Sequence, residues 1–339
     1  MLTVEITGPR AALVAERPEP QAAGDVVKVQ VLVAPMCTEW QSWRAGQAGH
    51  ELGHEAVGIV LDAAQSTRLK VGDRVIAMPH WGCGQCPACH SGDHIHCTEQ
   101  RDLLAETGSS CGLGGYAQYL LKPDYLLYPV PDDISTDHAA MALCALGPSF
   151  TAMERMRVSP IDTVLVSGCG AVGLGAIVNA RTIGARVIAL ELNPYRTELA
   201  RALGAEHVLD PRAPDLLNQV RALAGGYGVD AAIETSNNES VPPIVLELVR
   251  ARGRLAFVTW SGALPVSRIT GKGIDVFGSW HWNHDRYGPQ MMQRVRDARP
   301  LLDLLTTHRF ALEEVSEAFA LQETGCCGKV LLYPNGAMS

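Results

Sequence analysis

Cys83, Cys86, Cys89 and Cys97 follow one another with the spacing C-x2-C-x2-C-x7-C, inside Gly82-Cys83-Gly84-Gln85-Cys86-Pro87-Ala88-Cys89. Four thiolates held this close by glycine-rich backbone are what a closed tetrahedral zinc site needs. With every ligand supplied by protein, such a zinc organises a loop and has no open position for chemistry. The competing readings are a disulfide pair or inert buried thiols. An acidic chain with the marks of a reducing compartment disfavours disulfides, so zinc is the expectation.

The chain has 339 residues, which favours two domains. Its net charge of -8 gives no electrostatic footprint for nucleic acid. The start, Met1-Leu2-Thr3-Val4-Glu5, lacks a basic segment followed by an apolar core, and no apolar run reaches membrane-spanning length. Ten cysteines then fit a cytoplasmic location. No nucleic-acid or membrane partner is expected.

Up to about residue 145 the pattern is β-rich. Val26–Val33, Ala56–Leu61 and Asp73–Met78 read as strands, with Gly and Pro punctuating long loops, as in a small barrel. The rhythm then alternates. Asp162–Ser167, Arg186–Leu190, Val229–Glu234, Arg254–Val258 and Ile274–Gly278 read as strands. Helices are expected from about Val172 to Ile183 and from Tyr195 to Leu203. Such alternation implies a parallel, doubly wound sheet of the α/β class. After about Trp282 come helices and a closing strand, Lys329–Tyr333. The expected organisation is a catalytic domain of residues 1–146 and 286–339 around a Rossmann nucleotide-binding domain of residues 147–285.

Gly168-Cys169-Gly170-Ala171-Val172-Gly173 is G-x-G-x-x-G after a predicted strand and opening a predicted helix, the context in which this motif binds a dinucleotide. Gly168 permits the tight turn, Gly170 lets a pyrophosphate approach backbone, and Gly173 lets helix meet strand. Amides at the helix start, around Ala171 and Val172, face the phosphates. Glu191, at the end of the second strand, suits the ribose hydroxyls of NAD and repels the 2′-phosphate of NADP. A solvated strand-end carboxylate is the alternative. Arg196 stands nearby and offers a partner for a 2′-phosphate.

Three further residues are each ambiguous alone: Cys37 in Pro35-Met36-Cys37-Thr38-Glu39-Trp40, His54 in Gly53-His54-Glu55, and Cys144 in Leu143-Cys144-Ala145. Their order around the four-cysteine lobe and the glycine motif makes the chain resemble, end to end, the zinc-containing medium-chain alcohol and polyol dehydrogenases. That resemblance implies a GroES-like β-barrel catalytic domain plus a Rossmann domain. It also implies a catalytic zinc on Cys37, His54 and Cys144, with Glu55 as alternative ligand, and a structural zinc on the four-cysteine lobe. The implied complement is two Zn2+ per chain and NAD, with NADP less favoured, in a homodimer or homotetramer. Three protein ligands leave one position for a substrate oxygen, and the zinc would serve as Lewis acid for hydride transfer.

One departure stands out. The family commonly reads Cys, a variable residue, Ser or Thr, then Asp, where the hydroxyl relays a proton and the Asp orients the histidine. Without a gap, Glu39 falls at the hydroxyl and Trp40 at the Asp. With a one-residue deletion, Thr38 and Glu39 take those roles. Trp40, Trp43, Trp280, His281 and Trp282 are candidates for a substrate cleft, or for core. The leading reading is an NAD-dependent zinc dehydrogenase of secondary alcohols or polyols of sugar or cyclitol type. The alternative is an NADPH-dependent carbonyl reductase on the same scaffold. A non-catalytic zinc-binding module is disfavoured by the acidic charge and by the Cys37, His54 and Cys144 set.

Overall fold

A computed structural model describes residues 1–336. In chain order the strands are β1 (Leu2–Gly8), β2 (Ala11–Glu16), β3 (Val26–Pro35), β4 (Ala56–Asp62), β5 (Arg74–Ala77), β6 (Tyr119–Pro123), β7 (Leu127–Pro129), β8 (Thr163–Ser167), β9 (Arg186–Leu190), β10 (His207–Leu209), β11 (Val229–Glu234), β12 (Val249–Phe257), β13 (Asp275–Gly278), β14 (Thr306–Ala311) and β15 (Lys329–Tyr333). The chain divides into two units. Among the described residues, one comprises 1–143, 283–296 and 306–336, the other 144–282 and 297–305.

The first unit is built on β3, whose sequence VVKVQVLVAP alternates so that Val27, Val29, Val31 and Val33 are fully buried. Burying each such side chain stabilises by about 1.5–3 kcal/mol. β3 pairs antiparallel with β4, β6 and β15, and the sheet runs β14-β15-β3-β4-β5-β7. The last strand of the chain thus lies beside its first long one, with Leu332 opposite Ala34. A helix, Glu39–Ala45, follows β3 directly, and its Trp43 stacks on Phe319 with ring centroids 5.6 Å apart. Trp43 is therefore a core residue of this unit.

The second unit is a six-stranded parallel sheet in the order β10-β9-β8-β11-β12-β13. Strand order reverses between β8 and β11. The crevice outside their carboxyl ends is where a doubly wound sheet receives a ligand. The β8 sequence TVLVS is buried throughout, as expected of a strand covered on both faces.

The first segment of the first unit ends at Leu143 and the second unit begins at Cys144. Residues 145 and 146 dock on the helix Ala171–Ile183. Asn179 of that helix donates to Leu146 O at 3.0 Å, and a Cβ at Gly175 would meet Ala145 O at 1.8 Å. The helix His284–Leu305 supplies residues 297–305 to the same unit. β12 begins at Val249, ahead of the predicted Arg254, because a register shift separates its first pairing from the rest.

Candidate functional site

The four cysteines of the glycine-rich lobe converge. Their sulfurs lie within 4.8 Å of one another, and no disulfide links any of the described cysteines. Amides are aimed at the sulfurs: Gln85 N and Cys86 N donate to Cys83 Sγ at 3.4 and 3.3 Å, and Cys83 N donates to Cys97 Sγ at 3.3 Å. The Gln85 amide is the main cause that lowers the Cys83 thiol pKa, to about 7, whereas burial raises those of Cys89 and Cys97. A soft, four-sulfur donor set with amide support fits tetrahedral zinc.

A second donor group lies in the first unit. Cys37 follows β3 and His54 precedes β4, so the ends of two paired strands bring them together. One donor atom each from Cys37, His54 and Glu55 lies within 4.8 Å of the others. His54 Nδ1 is 2.5 Å from Glu39 Oε1. Glu39 Oε2 accepts from Tyr116 Oη at 3.0 Å and from Cys37 N at 3.3 Å. Burial alone would raise the Glu39 pKa, but the adjacent His54 and these donors outweigh it and bring the carboxyl to about 2. Glu39, not Trp40, is the residue that reaches the histidine. Thr38 is exposed at the start of the helix Glu39–Ala45, and its side chain makes no capping bond there. Trp40 is half-buried against the core.

Glu55 is fully buried, and Lys329 Nζ donates to its Oε1 at 2.7 Å. Burial raises the Glu55 pKa against the opposing pull of Lys329. Gln322 Nε2 donates to Cys37 O at 3.2 Å and steadies the turn that carries the cysteine. Sequence reasoning missed Tyr116, Gln322 and Lys329, since each reaches the group from a distant segment without a local motif.

In the second unit a pocket opens at the carboxyl ends of β8 and β11, lined by Gly168, Gly170, Glu191, Arg196, Thr235 and Ser236 among others. Gly168 has φ +85°, which suits glycine. A Cβ at Gly173 would stand 1.8 Å from Gly168 O, so the helix can approach the loop only there. A Cβ at Gly170 would meet nothing within 4 Å, which leaves the space above it open to a ligand. Ala171 and Val172 begin the helix over this loop. Glu191 Oε2 accepts from Cys169 N at 2.8 Å, and Oε1 from Leu192 N and Asn193 N at 2.7 and 2.8 Å. Three backbone amides thus fix the carboxylate. Arg196 Nε is buried there without a hydrogen-bond partner. A glycine cradle at a helix start beside a pinned carboxylate fits a dinucleotide.

Cys144 is half-buried at the start of the second unit. Trp282 and His281 are buried in that unit, whereas Trp280 is 43% exposed and edge-on to Trp260 at 4.7 Å. No helix among the described residues is long and apolar enough to cross a membrane.

The family model for the alcohol dehydrogenase GroES-like domain matches residues 23–132, and that for zinc-binding dehydrogenase matches residues 171–297. The sorbitol dehydrogenase of Bacillus subtilis is 29% identical over 334 residues, which cover 94% of this chain and 93% of that protein. The L-threonine 3-dehydrogenase of Symbiobacterium thermophilum is 28% identical over 355 residues, 97% and 95% of the two chains. An uncharacterised zinc-type alcohol dehydrogenase-like protein of Escherichia coli is 31% identical over 292 residues, 83% and 80%. Among solved structures, alcohol dehydrogenase TADH from Thermus sp. ATN1 superimposes with a TM-score of 0.88 at 25% identity, covering 98% and 99% of the two chains.

Proposed function

The chain belongs to the zinc-binding alcohol dehydrogenase family of oxidoreductases, and from that premise we propose that it transfers hydride between a secondary alcohol or polyol and NAD. The observation that carries the reading is the Cys37, His54 and Glu55 donor group backed by Glu39 at 2.5 Å from His54 Nδ1. We assign Cys37, His54 and, on the family resemblance, Cys144 as ligands of a catalytic zinc, with Glu55 as an alternative. The four-cysteine lobe takes a second zinc. Bound zinc supplies Lewis-acid activation of a substrate oxygen, and NAD supplies the hydride acceptor.

The chain's own residues prepare this chemistry. Glu39 takes up Nδ1 of His54 and so fixes Nε2 as the ligand nitrogen. Thr38, one residue before Glu39 and exposed, is the hydroxyl positioned in sequence to pass the alcohol proton to solvent. Lys329 holds the charge of Glu55 in place. Gly168, Gly170, Ala171, Val172 and Gly173 shape the pyrophosphate cradle. Glu191 accepts from the adenosine ribose, and its three amide bonds fix it there beforehand.

The named activities of the relatives, on sorbitol and on L-threonine, share a secondary carbinol with a polar neighbour. That pattern defines the substrate class proposed here. A second reading, use of NADPH for carbonyl reduction, is favoured by one observation: the unpartnered Arg196 Nε in the same pocket as Glu191. We further assign a cytoplasmic homodimer or homotetramer. Reduction of NAD and of NADP, followed with a panel of alcohols, polyols, aminocyclitols and L-threonine, tests the proposal. Turnover with NAD on at least one secondary carbinol is expected. Activity confined to NADPH-linked carbonyl reduction would select the second reading.

A further inference from the structure

A third group of donors lies in the first unit, on residues that neither the hydride chemistry nor the four-cysteine lobe uses. His94 sits in the short turn His94–His96 between Cys89 and Cys97. His284 and Asp285 open the helix His284–Leu305. One donor atom from each lies within 4.8 Å of the others. His94 Nε2 is 3.2 Å from Asp285 Oδ2, and His284 Nε2 is 3.8 Å from Asp285 Oδ1. Both imidazoles are at least 96% buried, being 4% and 2% exposed, whereas Asp285 is 43% exposed and free to adjust.

We propose that His94, His284 and Asp285 form a further divalent metal site that clasps the four-cysteine lobe to the start of the long helix. Two imidazoles and one carboxylate are the donor class of zinc and its late first-row neighbours, not of calcium or magnesium. Such an ion sits about 2.0–2.2 Å from each nitrogen or oxygen ligand. Donors 3.2 and 3.8 Å apart are therefore already at bridging distance.

The frame around the group is built. Asn283 Oδ1 accepts from Arg286 N at 2.9 Å at the helix start, while Asn283 Nδ2 donates to Ser91 O at 2.7 Å in the lobe. Gly92 has φ +79°, and a Cβ there would lie 2.5 Å from Asn283 Oδ1, so backbone and side chain are in close contact. His94 stacks on His284 with centroids 5.2 Å apart. Nδ1 of His94 is buried and makes no hydrogen bond, so no partner fixes the ring's tautomer. His284 Nε2 now meets Tyr125 O at 2.7 Å. Ligation would move its proton to the other ring nitrogen or to solvent and leave that carbonyl beside the ion. Arg68, whose Nη2 is 3.7 Å from Asp285 Oδ1, would release the carboxylate.

The test uses the full-length protein with its resident zinc, cleared of loosely held ions by a weak chelator and then titrated with Co2+. Wild type should bind one equivalent more than His94→Gln, His284→Gln and Asp285→Asn. That equivalent should add ligand-field absorption without the near-ultraviolet thiolate-to-cobalt band that marks both cysteine-containing sites. It should also raise the melting temperature of wild type and not of Asp285→Asn. Asp285→Asn alters an exposed side chain, and retained zinc in the four-cysteine lobe reports that each variant is folded. Equal uptake by wild type and a folded Asp285→Asn variant would overturn the proposal. So would an extra equivalent that carries the thiolate band. Because the readout is the difference between wild type and these variants, loss of metal from the Cys37 group would leave it unchanged.

Discussion

Lys329 Nζ donates to Glu55 Oε1 at 2.7 Å, and neither side chain has any exposure to solvent. The last strand of the chain thereby neutralises the carboxylate that follows His54. Two charges out of water are tolerated only as a pair, and removing one partner leaves the other uncompensated.

Lys329→Met should therefore destabilise the protein by about 3–5 kcal/mol, whereas Lys329→Met with Glu55→Gln should recover most of that loss. Urea unfolding of the two variants and the wild type measures the difference. Equal destabilisation by the single and double changes would show that the pair itself is not what holds this site.

Glu39 and Thr38 separate into two predicted behaviours. Glu39→Gln should weaken metal binding at the His54 group by about 10–100-fold, because the carboxylate no longer fixes the ring. Thr38→Val should lower turnover by about 10²–10⁴-fold with metal content unchanged, and Thr38→Ser should largely preserve it. Wild-type turnover in Thr38→Val would return the relay to Glu39.

Glu191→Gln should raise the ratio of NADP to NAD turnover, since repulsion of a 2′-phosphate disappears while the residue's size is kept. Arg196→Ala in that background should lower the ratio again. An unchanged ratio in Glu191→Gln would remove Glu191 as the cofactor selector.

Asp162 gives a pH dependence away from the metal groups. Its Oδ1 accepts from Arg254 Nη2 at 2.7 Å and its Oδ2 from Ser159 N at 2.7 Å. Burial would raise this carboxyl, but Ser159 and Arg254 outweigh it and the pKa lies below the ordinary 3.8. A depressed folded-state pKa contributes stability that is present above the unfolded value and lost as pH falls through the folded one. Asp162→Asn should remove about 1–3 kcal/mol near neutral pH and flatten the acid limb of stability against pH. An acid limb as steep as that of wild type would contradict this.

Much of the nucleotide unit was legible because its strands are short β-branched runs between glycines. Arg186–Leu190 and Val229–Glu234 fall where the pattern put them. β1 and β2 were missed because Glu5, Thr3 and Glu16 interrupt them, and β10 because three residues carry no period. The early start of β12 was hidden by Arg250, Arg252 and Gly253, with Arg252 at φ +60°. In the site, the four-cysteine lobe announced itself by local spacing, whereas Cys37 and His54, each ambiguous alone, were reached only through the family resemblance. Lys329 could not, since it stands 274 residues from Glu55 and only strand pairing brings β15 to β3.

The most direct test of the account is the zinc content of Cys37→Ser, measured together with its NAD reduction on the best alcohol of the panel. The account predicts one zinc fewer than wild type, retained zinc in the lobe of Cys83, Cys86, Cys89 and Cys97, and no turnover. A Cys37→Ser protein with wild-type zinc content and wild-type turnover would contradict it.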